Sequence, residues 1–222
     1  MLTRESILDG AISDMLSQSG EDWRIQSDEE IAESRRAVLA ELEPGADMWV
    51  FGYGSLIWNP AFHFAERRVG ITHGFHRRYC LWSMIGRGTK ENPGLMLGLD
   101  HGGSCHGVAY RITPGEVESE LDVLWRREMI GGAYVPRWLT VRTGDRPVRA
   151  LGFVINHEHP RYTGRLSSET IAGTIAAAFG PLGACAEYLL NTVDHLEELG
   201  IADHHLARLR DRVVELRKAD SA

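Results

Sequence analysis

Trp49-Val50-Phe51-Gly52-Tyr53-Gly54-Ser55-Leu56 is the stretch whose reading decides the fold. An apolar run of strand character, Trp49 to Phe51, enters a tight turn in which Gly52 and Gly54 flank Tyr53. Glycine accepts positive φ, so successive backbone N–H groups can converge on one point. Such a concave set of donors is an anion-binding nest. Ser55 adds a hydroxyl donor at the same place, and the expected guest is a small carboxylate or a developing oxyanion. A strand-to-loop turn without a ligand would account for the same residues, so the reading depends on a second site.

That site is Leu121-Asp122-Val123-Leu124-Trp125-Arg126-Arg127-Glu128-Met129-Ile130-Gly131-Gly132. The spacing predicts a helix over 114–130, with Thr113 as N-cap, Pro114 at the first helical position and Glu116 in the first turn. Val117, Leu121, Leu124 and Trp125 recur at helical spacing and mark the apolar face. Glu128 falls four residues after Leu124 and three after Trp125, on that same face, and Gly131-Gly132 stop the helix just beyond it. Burial raises a carboxyl pKa, and the negative end of the helix dipole raises it further. An acid placed there has either a partner or a task. It closes the helix by pairing with Arg127, Arg78 or another arginine, or it moves protons.

Phe51-Gly52-Tyr53-Gly54-Ser55-Leu56-Ile57-Trp58-Asn59-Pro60 resembles the signature of the ChaC family of γ-glutamylcyclotransferases. Gly74-Phe75-His76-Arg77, Cys105-His106-Gly107-Val108-Ala109-Tyr110-Arg111-Ile112, Trp125-Arg126-Arg127-Glu128-Met129 and Gly132-Ala133-Tyr134-Val135-Pro136 are similar to the family's later blocks. His159-Pro160-Arg161-Tyr162 and Gly180-Pro181-Leu182-Gly183 complete the set in order. The resemblance runs from about Trp49 to about Gly200. It leaves residues 1–45 outside as an N-terminal helical extension, and makes 46–222 a γ-glutamylcyclotransferase-like domain with C-terminal helices.

The resemblance implies cleavage of a γ-glutamyl peptide, in the first instance glutathione, without water, metal or cofactor. The substrate's α-amine attacks its own γ-carbonyl, closes 5-oxoproline and releases the remaining amine, Cys-Gly from glutathione. The chemistry needs a base for an amine whose reference pKa is roughly 8, and a proton for the leaving nitrogen. One carboxyl lifted toward neutrality can serve both steps, and Glu128 is the expected group. Tyr53, Gly54, Ser55 and Leu56 are expected to hold the glutamyl end. Arg77 and Arg78 alternate on a strand, so one of them can face the site, and the resemblance favours Arg77. Tyr134 and Tyr162 are candidate hydroxyl donors, and either could equally be a packing tyrosine.

Three other readings are kept. One is a cyclotransferase for another γ-glutamyl amine. The second is a non-catalytic γ-glutamyl-binding regulatory protein, against which the intact Glu128 argues. The third is a metal-dependent hydrolase built on His157 and His159, although Pro160 follows at once and no third ligand is suitably spaced. The segment from Ser83 to Pro93 departs from the pattern of glutathione-specific members, so the peptide end of the substrate is the least defined.

With 222 residues the chain can bury a full core as one domain carrying a small helical appendage. A hydrophobic content of 43% is ordinary for a globular protein. A formal net charge of −7 argues against a nucleic-acid partner. No stretch approaches the length of a membrane span, and the charged N-terminus does not read as a secretory signal. Cys80, Cys105 and Cys185 are far apart and form no framework, which suits a reducing cytoplasm. Cys105 and His106 neighbour each other on a strand and so face opposite ways, which excludes them as a thiol–imidazole pair. The sequence does not fix an oligomeric state.

Helices are expected at 3–18 and 28–42, joined by a polar break at Ser19-Gly20-Glu21-Asp22. Strands follow at 48–53, 68–73, 75–82, 94–99, 105–112, 134–142 and 148–155, with turns at Gly102-Gly103 and Gly144-Asp145. After His159-Pro160 the pattern is helical over about 167–179, 182–199 and 203–217. A strand-rich middle with helices at both ends is α+β. The resemblance makes that middle a small, mixed, partly closed barrel with the site at its mouth. The amphipathic first helices, with Ile7, Ile12, Leu16, Ile31, Val38 and Leu39 as apolar positions, are expected to pack on the barrel or a second subunit, away from Glu128.

Overall fold

β1 (Met48–Gly52) buries Met48, Val50 and Phe51 completely, and it is the strand around which the sheet closes. The computed structural model describes residues 2–18, 25–144 and 146–219, so the expected breaks at Ser19-Gly20-Glu21-Asp22 and at Asp145 lie outside the described residues. Five strands form a closed barrel in the order β1-β3-β2-β4-β5. β1 runs antiparallel to β3 (Gly94–Ile112), with Val50 opposite Tyr110, and parallel to β5 (Pro147–Ile155), with Val50 opposite Leu151. β2 (Glu66–Ser83) pairs with β3 and with β4 (Tyr134–Thr143), and β4 pairs with β5. The mixed α+β architecture is the expected one, and the barrel closes fully.

Two expected turns are bulges. Gly74 at φ +85° and Gly102 and Gly103 at φ +96° and +70° lie within β2 and β3, where the register shifts between His73 and Phe75. Left-handed backbone serves a bulge as readily as a turn, so the two long strands bend at these residues and continue as one hairpin. Along β3, Leu95, Leu97 and Leu99 alternate inward and are at most 1% exposed. Each fully buried leucine contributes about 1.5–3 kcal/mol of transfer free energy.

The helix after β3 starts later than expected. Gly115 lies in the predicted first turn, and Thr113 instead closes a turn in which its hydroxyl donates to Glu116 and its carbonyl accepts the Glu116 N–H. α5 therefore runs Val117–Leu124 and opens into a π-helical turn, Trp125–Met129. Trp125 and Leu121 are fully buried against the barrel, as the periodicity required.

The N-terminal segment forms α1 (Arg4–Leu8), α2 (Ala11–Gln18) and α3 (Asp28–Leu39). Gly10 at φ +89° breaks what the sequence suggested as one helix over 3–18. Ser27 and Glu30 cap α3 reciprocally. These helices lie across α5 and its π turn. Arg4 forms a bidentate pair with the buried Glu120, Arg35 meets Asp122 at 2.8 Å, and the Trp125 indole donates to Ser34 Oγ at 3.2 Å. The C-terminal helices α6 (Ser168–Ala177), α7 (Cys185–Glu198) and α8 (His204–Ala219) complete the core, with the short pair β6 (Phe179–Gly180) and β7 (Gly183–Ala184) between α6 and α7. No helix among the described residues is long and apolar enough to cross a membrane.

Candidate active site

β1 delivers Tyr53 and Gly54 to the barrel mouth, where a single helical turn, α4 (Ser55–Trp58), begins. Gly54 is its N-cap at φ −135°, and neither Gly52 nor Gly54 has positive φ, which corrects the expectation of a left-handed nest. The need for glycine is steric. A Cβ on Gly54 would lie 3.0 Å from Tyr188 Oη, and one on Gly52 would lie 3.1 Å from Leu56 Cβ and from Tyr110 Cε2. Close packing of the loop against α7 and the barrel therefore makes a side chain at either position tighter than ordinary van der Waals contact, so that a neighbour must shift.

Glu128 sits in the π turn, a local widening that recurs at functional sites. Its side chain is 13% exposed, and its Oε1 lies 3.0 Å from Arg127 Nε. Arg127 also donates from Nη1 to the Asn59 carbonyl at 2.5 Å and from Nη2 to Ser55 Oγ at 2.9 Å. The pairing with Arg127 that closes the helix thus also joins the acid to Ser55 of the glycine-rich turn. Burial raises the Glu128 carboxyl above its usual value, and the Arg127 guanidinium pulls the other way. Glu128 and Ser55 line one cavity of about 180 Å³.

Three phenols surround the acid. Tyr53 Oη donates to the Phe153 carbonyl at 2.7 Å and Tyr134 Oη to the Leu97 carbonyl at 3.0 Å. Burial, with the Glu128 charge as a further cause, raises the pKa of Tyr53, Tyr134 and Tyr188. They stay protonated at neutral pH, and the two phenols that donate to backbone carbonyls leave oxygen lone pairs as acceptors.

The structure brings Tyr53, Gly54, Ser55, Leu56, Tyr134 and Glu128 to this cavity and keeps Arg77 and Tyr162 out of it. The substrate contacts expected of Arg77 and Tyr162 therefore do not come from the lining of this cavity. Arg77 reaches the back of the turn, where Nη1 donates to the Tyr53 carbonyl at 2.6 Å, Nη2 donates to the His106 carbonyl, and Nε pairs with Asp203 at 2.9 Å. Tyr162 donates to Asp100 at 3.2 Å and stacks on His157, 4.4 Å between ring centres. Arg78 pairs with the same Asp100.

The sequence reading did not single out Tyr188, Arg87 or Arg161, which also line the cavity. Burial pushes the Arg161 guanidinium down to about 10. Arg87, within the Ser83 to Pro93 segment that departs from the pattern of glutathione-specific members, is 8% exposed and meets Glu187 at 3.0 Å. A larger departure is that Leu2, Ile12, Met15 and Leu16 line the same cavity, so the first helices reach Glu128's site and do not pack away from it.

Among the described residues, no group of three or more histidine, cysteine or acidic side chains is placed to hold a metal. His157 Nε2 meets Asp100 at 2.6 Å, while His159 Nδ1 accepts the Arg161 N–H at 3.2 Å, so the two imidazoles serve separate contacts. Cys80, Cys105 and Cys185 are buried thiols with raised pKa values, Cys80 at about 12 and Cys185 at about 11.

A family model described as ChaC-like protein matches residues 48–216. A glutathione-specific γ-glutamylcyclotransferase of Escherichia coli is 41% identical over 98% of this chain and 93% of its own length. The human glutathione-specific γ-glutamylcyclotransferase 1 is 36% identical over 75% of this chain and 78% of its own. The crystal structure of a yeast γ-glutamyl cyclotransferase specific to glutathione superposes with a TM-score of 0.72 at 24% identity, covering 78% of this chain and 97% of that one, and shares the fold.

Proposed function

The chain belongs to the ChaC-like protein family, and we propose that it is a glutathione-specific γ-glutamylcyclotransferase. The observation that carries this reading beyond family membership is the Glu128–Arg127–Ser55 bridge, which sets a buried acid and the glycine-rich turn against one cavity.

The γ-glutamyl end lies at Tyr53 to Leu56. The Glu128 carboxylate takes a proton from the neutral α-amine as its nitrogen bonds to the γ-carbonyl carbon. The oxygen of that carbonyl becomes an oxyanion, stabilised by the Ser55 hydroxyl and the backbone amides that open α4. Collapse of the tetrahedral carbon breaks its bond to the peptide nitrogen, which receives the proton from Glu128. The products are 5-oxoproline and Cys-Gly, and Glu128 returns to carboxylate. Attack is intramolecular, so folding the substrate into its reactive geometry supplies a large share of the acceleration. Arg127 orients the carboxylate and, against burial, favours its ionised form. Tyr134 and Tyr53 offer phenol oxygens to the substrate's amine, and Arg77 acts from behind the turn by fixing the Tyr53 carbonyl. No step calls for a metal or cofactor.

The substrate-bearing domain in this reading is 46–222, with 1–45 as an extension that contributes to its cavity. Three buried free thiols suit a reducing cytoplasm as its place of work. The test is incubation of pure, chelator-treated protein with glutathione in labelled water. The expected product is 5-oxoproline with no solvent oxygen in its ring carbonyl. Free glutamate as the primary product, or activity recovered only with zinc, overturns the proposal. Faster turnover of other γ-glutamyl amines than of glutathione would move the substrate assignment and leave the chemistry.

A further inference from the structure

The first helices of the chain are a wall of the cavity, and we propose that Leu2, Ile12 and Met15 form the subsite for the side chain of the residue joined to the γ-glutamyl group. This subsite sets which γ-glutamyl peptides are accepted. The inference rests on the cyclotransferase reading above.

Placement is the first argument. Leu2, Ile12 and Met15 line the same cavity as Glu128 and Ser55, and all three are half-buried. They are held in register with the catalytic loop. Asn59 donates from Nδ2 to the Leu2 carbonyl at 2.9 Å, and its own carbonyl accepts from Arg127. Arg4 is fixed bidentately on the buried Glu120, and the Gln26 N–H bonds the Ile130 carbonyl at 3.0 Å. The wall is therefore tied at its N-terminal end to the elements that carry Ser55 and Glu128, and the chain that follows is anchored again at Gln26.

Chemistry is the second argument. The γ-glutamyl group presents an amine, a carboxylate and a carbonyl, which call for Glu128, Arg127 and the Ser55 turn. The terminal glycine presents another carboxylate. Only the cysteine side chain between them offers apolar, polarisable surface to an apolar wall, and a thioether such as Met15 suits a thiol. Size is the third argument. At about 180 Å³ the cavity is smaller than the roughly 300–1,000 Å³ of most ligand pockets, so bulk on the substrate competes with bulk on the wall.

The experiment compares kcat/KM for glutathione and for S-methylglutathione in wild type, Ile12→Ala and Met15→Ala, all as full chains. Wild type should favour glutathione. Each variant should raise the ratio of S-methylglutathione to glutathione by about tenfold or more, the scale at which a hydrophobic pocket reads one carbon. A loss of fold would lower both rates and leave the ratio unmoved, so this readout separates specificity from stability, and a variant that fails to fold is replaced by the other. An unchanged ratio in the folded variants, or equal loss of both substrates in a variant that melts like wild type, overturns the subsite. If wild type makes no 5-oxoproline from glutathione, the cyclotransferase reading fails first and takes this inference with it.

Discussion

Arg127 joins Glu128 to Ser55, with Nε 3.0 Å from the carboxylate and Nη2 donating to the hydroxyl at 2.9 Å. Neighbouring residues on an α-helix point apart. Here both belong to a π turn, and both side chains enter the cavity. The guanidinium opposes what burial does to the carboxyl, and burial is the larger cause, so the pKa lies above its ordinary value. A carboxyl with a raised pKa suits a group that must accept a proton and then return it.

Glu128→Gln should abolish nearly all 5-oxoproline formation while glutathione binding, measured calorimetrically, persists. The amide keeps the shape of the carboxylate and cannot carry the proton. General acid–base catalysis contributes about 10²–10⁴-fold, so turnover within about tenfold of wild type would remove Glu128 from its role.

Arg127→Gln should move the acid limb of the pH profile of kcat/KM to higher pH. Arg127 lowers the Glu128 pKa, so its loss leaves burial unopposed and the base protonated over a wider range. A uniform loss of rate with the limb in place would assign Arg127 to packing alone.

The run into Tyr53-Gly54-Ser55 and the apolar face of α5 follow from local chemistry, and each stands in the structure where its residues put it. The helix stop at Gly131-Gly132 is likewise legible, with Gly132 at φ +66°. The features missed depend on contacts between distant segments. Gly74, Gly102 and Gly103 carry the left-handed backbone of a turn, and only the pairing of β2 with β3 makes them a bulge. Spacing puts Arg77 and Arg78 on opposite faces, but the barrel decides that Arg77 lies behind the turn. The amphipathic pattern of α1 and α2 announces that they must be covered, and says nothing of the cavity they cover.

Gly54→Ala should lower both stability and kcat/KM, because the new Cβ would stand 3.0 Å from Tyr188 Oη. Tyr188→Phe removes that oxygen, so the alanine should cost less in the phenylalanine background. Contacting residues typically couple by about 0.5–3 kcal/mol, and a double-mutant cycle read by urea denaturation measures the term. Strict additivity would mean that the glycine answers to some other constraint.

Stability should respond to pH through Glu128 in a direction opposite to that of most carboxylates. Burial raises its pKa above the ordinary 4.5, so the folded protein holds this proton more tightly than the unfolded chain does. Its favourable contribution is complete below the unfolded value and is lost as pH rises through the folded one. Glu128→Gln has no such proton to lose. The difference in unfolding free energy, Gln variant minus wild type, should therefore grow as pH climbs from about 4.5 and level off above the folded value. Urea titrations of both proteins across that range measure it, with any constant offset from the altered Arg127 contact cancelling in the slope. Parallel curves, or a difference that shrinks with pH, would mean that Arg127 outweighs burial and that the acid rests as an ordinary ion-paired carboxylate.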